Sequence, residues 1–463
     1  MPVADDPRKW SKFRKNLILL QVAFGSTIAG LAANIQNPAN GEMEADLPAT
    51  ASQISLSLSL FILFQGLVPL VSTISEIKGR KFVYIVSMAI FTVGSVVVAI
   101  SKSIGLLIGF RCFQAAGSSA VVSIGAATLA DIFDPVERGT KMGIYYIAPL
   151  LGPSLGSILG GGLTTAFTWR GPFYFLAIMG GIVFMSFLLL FKDTFRLERS
   201  ITYQNVLKER LRESAMKNSS RAEMDEQNDI NLPQDLEKQE FACNRPQASG
   251  LYFAFAFVVL YTTSRSLGTY YHYNALKTGL VLLAYGVGTV FGSIIGGRWS
   301  DYQLARLKAK NGGQSTPEMR LRSTVHGLVI FPLCVIGYAW VLEERVNVSG
   351  VCVMLFACGF VSIFVYTSTL AYIVDANVGR SSSAVALNSA FRGTFAFIFE
   401  EIAVPMQDGL GDGWMYTIIA VIMAFSGVLM IVVMHKGAQW RAEAEERELA
   451  AAIAQEEKNM IQV

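Results

Sequence analysis

Apolar residues in this chain come in long runs, and polar residues gather in short clusters between them. A helix rises about 1.5 Å per residue, so about 20 apolar residues cross the hydrocarbon core of a bilayer. On that criterion the pattern predicts twelve spans. The first six cover approximately 16–36, 53–71, 82–100, 104–128, 140–163 and 172–191. The second six cover approximately 250–271, 278–297, 325–342, 351–374, 384–404 and 415–434. Between the sets, 192–249 is polar and reads as a solvated linker, with room for a short amphipathic helix near 203–213. The Ala- and Glu-rich tail, 436–463, reads as a surface helix. The predicted units are therefore a first six-helix bundle at 1–191, a linker at 192–249, a second bundle at 250–435, and the tail. The expected fold class is an all-α integral membrane protein of twelve transmembrane helices in two pseudo-symmetric six-helix bundles.

Composition supports the membrane reading. The chain is 52% hydrophobic and only 16% charged, whereas soluble domains carry about 25% charge. The start, "MPVADDPRKWSKFRKN", is polar and basic, and the run behind it is span-length, so no cleavable signal peptide is expected. Lys and Arg in the short loops set orientation. Arg8, Lys9, Lys12, Arg14, Lys15, Lys78, Arg80, Lys81, Arg138, Lys141, the 298–322 bases and Arg380 fall on one side. Lys102, Arg170, Lys277 and Arg345 fall on the other. Both termini are thus expected in the cytoplasm. A net charge of +3 gives no reason to expect a nucleic-acid partner. The five cysteines form no CxxC and read as small apolar residues. Neither a metal set nor a nucleophile constellation is evident, and there is no nucleotide-binding loop. No cofactor, no metal and no enzymatic activity are expected.

The two halves repeat a charge pattern. "STISEIKGRK" (72–81) follows the second span and "GGRWSDYQLAR" (296–306) the eighth. Each puts an acid, Glu76 or Asp301, at the end of a span, with bases behind it. "LADIFDPVERGT" (129–140) and "YIVDANVGRSSS" (372–383) end the fourth and tenth spans. Each carries an acid, Asp131 or Asp375, several residues before an Arg, Arg138 or Arg380. Duplication of a six-span unit is a known transporter plan.

These motifs give the chain a resemblance to major facilitator superfamily transporters. "STISEIKGRK" resembles the loop 2–3 signature, with Ser72 for the usual Gly and Glu76 for the usual Asp. "GFRCFQAAGSS" (109–119) resembles the span-4 signature through Arg111, Gln114 and Gly117. "LLGPSLGSILGG" resembles the span-5 antiporter signature. "PEMRLR" (317–322) and "VDANVGRSSSAVALNSAFR" (374–392) are similar to elements of fungal twelve-span drug:proton antiporters, the quinidine-resistance-like branch. The resemblance implies a secondary active transporter, acting by alternating access and exporting small amphipathic molecules (drugs, polyamines or the cell's own metabolites) by proton antiport. It implies a plasma-membrane monomer whose partners are the substrate, protons and the bilayer. The alternatives are a proton-coupled uptake carrier and a non-transporting receptor or scaffold on the same fold. It also implies a cytoplasmic gate of Glu76, Arg80, Asp131, Arg138, Asp301 and Asp375. In it Glu76 meets the start of span 11, Arg80 reaches Asp131, Asp301 approaches Gly139, and Asp375 a base of loop 8–9.

Gly152, Gly156 and Gly160 recur at i, i+4, i+8, so they share a helix face. Small faces let helices approach closely in lipid. Pro153 removes a hydrogen bond and predicts a bend. Together these residues read either as a hinge sliding across the boundary between the halves or as ordinary packing. Polar residues at depth are costly and point to function. Gln21, Arg111, Gln114, Asn388 and Arg392 are candidates to line one central pocket. Arg111 and Arg392 are open to a second reading, that each snorkels to an interface. Glu400 and Glu401 point about 100° apart, so one can carry a proton inside; alternatively the helix ends early and both are hydrated. Span 1 contains no acid, only Gln21 and Gln36.

Overall fold

The structure is a computed structural model that describes residues 6–68, 75, 79–133, 135–195, 247–312, 316–376 and 381–461. The described residues form helices and no strand. The first half contains span 1 (Lys12–Asn34), span 2 (Ala51–Leu67), span 3 (Arg80–Ala99), span 4 (Ile104–Ile132), span 5 (Pro135–Phe167) and span 6 (Gly171–Leu189). The second contains span 7 (Gln247–Thr269), span 8 (Ala275–Lys310), span 9 (Val325–Glu343) and span 10 (Val348–Ala376). Spans 11 and 12 lie within one helical stretch, Ser381–Ile461, broken where Gly411 takes a φ of 77°. That left-handed conformation is cheap only for glycine.

Local chemistry sets the starts. The Thr50 hydroxyl accepts from the Gln53 amide while the Gln53 side chain accepts from the Thr50 amide, a capping box that opens span 2. Ser11, Ser103 and Asn274 cap spans 1, 4 and 8. The Glu343 carboxylate accepts from Gly413 N at 2.9 Å and fixes the turn into span 12.

Several boundaries differ from the sequence expectation. Span 8 runs on to Lys310, beyond the apolar run, because the solvated end needs no apolar face to stay helical. The last residues assigned to the linker, from Gln247, belong to span 7, while 196–246 lie outside the described residues. The tail continues the span-12 helix to Ile461 instead of starting a separate one. Among the described residues eight helical stretches are long and apolar enough to cross a bilayer, one of which, Ala386–Gly437, holds both spans 11 and 12.

Two apolar cores form, one built from Ile18 to Phe191 and one from Tyr252 to Met430. Ala254, Phe257 and Tyr261 of span 7, with Ala396 and Val404 of span 11, pack into the first core. Large apolar side chains left exposed cluster on spans 3, 6, 9 and 12, among them Val93, Ile182, Leu333 and Phe425. Such faces suit lipid.

Span 5 is held on two faces. A methyl group at Gly152 would stand 2.5 Å from the Gly30 carbonyl oxygen, and one at Gly160 2.2 Å from that of Ile35. Gly156 faces Asn34. The Gly152–Gly156–Gly160 stripe therefore packs on span 1, inside its own half. This corrects the expectation that it slides across the boundary. A different face, Ser154, Ser157 and Gly161, meets Gly286, Gly279 and Ala275 of span 8. The helix is continuous through position 153.

Candidate functional site

The site is built where spans 1, 2, 4, 7 and 11 converge. Below, the terminal face is the side from which span 1 starts, and the far face is the opposite one.

On the far-face side Arg111 lies seven residues into span 4, about 10 Å along the axis. It is fully buried. Its Nη1 donates to Ala32 O at 3.1 Å and to Gln114 Oε1 at 2.7 Å. Gln114 Nε2 in turn donates to Ser95 Oγ of span 3 at 2.7 Å. The guanidinium lies 4.2 Å from the Phe61 ring centroid and 5.6 Å from that of Phe173, and Nε and Nη2 have no partner. This rules out the snorkelling alternative for Arg111: its head is in the bundle.

Glu400 of span 11 is also fully buried, and its Oε2 has no partner. It belongs to the second half, and among the described residues no ion pair joins it to Arg111. The helix runs on past both acids, so the early-ending alternative is excluded. Glu401 is only partly buried and accepts from the Ser59 hydroxyl of span 2 at 2.7 Å.

Around this pair the halves are joined on the far-face side. Ser55 Oγ donates to Glu400 O at 3.2 Å, Tyr261 Oη to Ala51 O at 2.8 Å, and Ser264 Oγ to Asn37 O at 2.5 Å. Nearer the middle, Gly66 and Gly393 put spans 2 and 11 in backbone contact. Each hydrogen bond contributes about 1 kcal/mol net, so this seam can open.

The five predicted pocket residues do not form one hydrogen-bonded set. Arg111 and Gln114 belong together. Asn388 accepts from Ser249 of span 7, and Arg392 Nη1 donates to the Tyr366 hydroxyl of span 10 at 2.6 Å. Gln21 turns the other way: its Nε2 donates to Ser186 Oγ of span 6 at 2.7 Å and to Ser186 O at 3.2 Å. A polar residue on span 1 can be satisfied by either neighbour, and here span 6 supplies the partner.

On the terminal face Arg80 Nε meets Asp131 Oδ2 at 3.4 Å. Its symmetric counterpart joins Arg320, in loop 8–9, to Asp375. Arg320 also pairs with Asp301 at 3.2 Å, which joins Asp301 to the same loop 8–9 cluster. Glu76 lies outside the described residues, and the Arg138 and Pro153 side chains are not described.

Two features escaped sequence reasoning. Phe253 and Tyr366 flank Arg392, and aromatic residues in apolar runs carry no distinguishing signal. Gln407 and Asp412 tie the 11–12 turn to span 7: Gln407 Nε2 donates to Asp412 Oδ1 at 2.7 Å, and Ser266 Oγ donates to Asp412 Oδ2 at 2.7 Å. Arg265, near the far-face end of span 7, joins them through Gln407 Oε1 at 3.1 Å and Asp408 at 2.6 Å. The polar cluster "MQDGLGDG" was the available signal.

Known proteins match along most of the chain. The chain is 24% identical to the MFS antiporter QDR3 of Candida albicans over 98% of its length and 82% of that protein. It is 26% identical to Citrate exporter 1 of Aspergillus niger, over 96% of the chain and 89% of that protein. Among solved structures, a D-xylose-proton symporter superposes with a TM-score of 0.67 at 12% identity, covering 90% of this chain and 97% of that one, which shows a shared fold. That fold carries twelve transmembrane helices, as the sequence pattern predicts. The Major Facilitator Superfamily family model matches residues 22–400, and with its paired six-helix halves, span-4 arginine and repeated terminal-face charge pairs the chain belongs to that superfamily of multi-pass membrane transporters.

Proposed function

We propose that the protein exports small amphipathic molecules by proton antiport, through alternating access between its halves, as a monomer in the plasma membrane with both termini in the cytoplasm. The observation that carries this reading is Glu400, fully buried where span 11 meets span 2 of the other half. A carboxyl that alternates between a buried and a hydrated setting exchanges a proton as it moves. Glu400 suits that role: the Ser55 hydroxyl of span 2 donates to its backbone carbonyl, so parting of spans 2 and 11 would bring water to a side chain that is buried here. Direction is supported by relatives named as an antiporter and an exporter. Orientation is supported by the bases crowded on the terminal face.

The Arg80–Asp131 and Arg320–Asp375 pairs brace the loops of the gate in each half. The partly exposed Arg320–Asp375 pair contributes about 0–1 kcal/mol, whereas in Arg80–Asp131 the arginine is buried. Closure then depends on several weak contacts, and a bound substrate or proton shifts the balance. The defining measurement is accumulation of a panel of labelled amphipathic compounds in proteoliposomes, with and without an imposed pH gradient. Faster flux with the gradient is expected; equal flux in both conditions removes proton coupling.

A further inference from the structure

Midway along span 11 the second half holds a charge without a counter-charge. Arg392 lies eleven residues from the start of the helix at Ser381, about 16 Å along the axis. Its guanidinium lies 4.0 Å from the Phe253 ring centroid, and its Nη1 donates to the Tyr366 hydroxyl. Nε is buried and has no partner. Among the described residues no carboxylate forms an ion pair with it. Arg111 differs in that its guanidinium is fully buried within the first half and donates to Ala32 O and Gln114 Oε1.

One helical turn away, Asn388 is fully buried. Its Oδ1 is taken by the Ser249 hydroxyl, while its Nδ2 has no partner. Residues at i and i+4 share a helix face. The unused atoms on that face, Arg392 Nε and Asn388 Nδ2, are both donors. The Tyr366 hydroxyl accepts from Arg392 and so keeps its own proton to give. A group that fills the site must therefore accept, and a guanidinium, which stays charged, needs a negative partner when desolvated. Gly393, the next residue, touches Gly66 of the first half. The donors thus border the boundary between halves, on the terminal-face side of the Glu400 seam.

We infer that Arg392, Asn388 and Tyr366 form the head-group subsite for an organic anion, with Phe253 beside it for the apolar body. This rests on the transport reading above and narrows it: the substrate is a carboxylate-bearing amphipath, and polyamines are excluded. Carboxylates accept two parallel hydrogen bonds and pair with guanidinium in a geometry that ammonium cannot match.

The test uses two dyes on one xanthene skeleton, anionic carboxyfluorescein and cationic rhodamine 123. Binding to the full-length protein is followed by fluorescence anisotropy, and flux in proteoliposomes under a pH gradient. Carboxyfluorescein is expected to bind the wild type and to bind Arg392→Gln about tenfold more weakly, the ratio for about 1.4 kcal/mol. Arg392→Lys keeps the charge but not the fork and should fall between. Size-exclusion profiles identify variants that fail to fold; if Arg392→Gln fails, Arg392→Lys and Asn388→Ala carry the comparison. Equal binding by the wild type and the folded variants overturns the subsite. So does flux of rhodamine 123 without binding of carboxyfluorescein, which leaves the transport reading standing. Arg392-dependent binding with no flux of either dye upholds the subsite and overturns the transport reading. Binding of neither dye overturns the subsite.

Discussion

Glu400→Gln is expected to abolish export driven by a pH gradient while leaving substrate exchange across the membrane intact. Gln keeps the shape of a protonated carboxyl but cannot release a proton. A charged group at membrane depth is worth about 3 kcal/mol, so the loss of gradient-driven flux should be roughly 100-fold. Counterflow between two substrate pools at equal pH needs no proton and should stay within a few-fold of wild type. Glu401→Gln is the control. Its carboxylate is partly exposed and meets a single hydroxyl, Ser59. Such a contact is worth about 0–1 kcal/mol, so flux should change by no more than about fivefold. Equal losses in both variants, or a counterflow loss in Glu400→Gln, would remove Glu400 as the proton carrier.

The second large effect separates the two faces of span 5. Gly152→Val places a side chain against the Gly30 carbonyl within one half, a contact present in every state of the cycle. Overpacking of this kind costs about 1–3 kcal/mol. A lower unfolding temperature is expected in detergent, with lower expression. Gly286→Val meets the Ser154 backbone across the boundary instead, where a methyl already stands 2.3 Å from Cα. It should leave the unfolding temperature near wild type and disfavour the far-face seam. A bias of about 1–3 kcal/mol shifts a two-state equilibrium roughly 5- to 150-fold. Cysteines placed at Ala51 and Tyr261 should cross-link less in Gly286→Val and unchanged in Gly152→Val, and transport should fall in the former even where folding is normal. If both variants unfold alike, the two faces of span 5 do not have separate roles.

Much of the architecture was legible along the chain because lipid imposes a local rule. Every backbone polar group at depth must be satisfied within its own helix, so span-length apolar runs declare themselves one at a time. Repeated acids and bases at matching span ends exposed the duplication. The Arg80–Asp131 pair was implied by the resemblance of its loop motif to the superfamily signature. Arg111 stood out as a candidate too, since an intramembrane arginine is costly wherever it points.

What the sequence could not supply was the choice of neighbour. Small residues at helical spacing say that something packs closely, not what. Span 5 offers two small faces, and only the assembled bundle directs Gly152, Gly156 and Gly160 to span 1 and Ser154, Ser157 and Gly161 to span 8. Gln21 had the same ambiguity and went to span 6, away from Arg111. Adjacent acids were a further instance: consecutive positions differ by about 100° around a helix, yet only tertiary packing buries Glu400 and leaves Glu401 to Ser59. That no described carboxylate pairs with Arg392 is likewise a property of helices far apart in sequence. Apolar burial and backbone satisfaction are properties of each segment, so the sequence alone determined the spans, their duplication and the charged positions. Helix–helix contact in lipid rests on shape and on a few hydrogen bonds between remote segments, so only the tertiary structure decided which face meets which partner and which polar atoms remain unused.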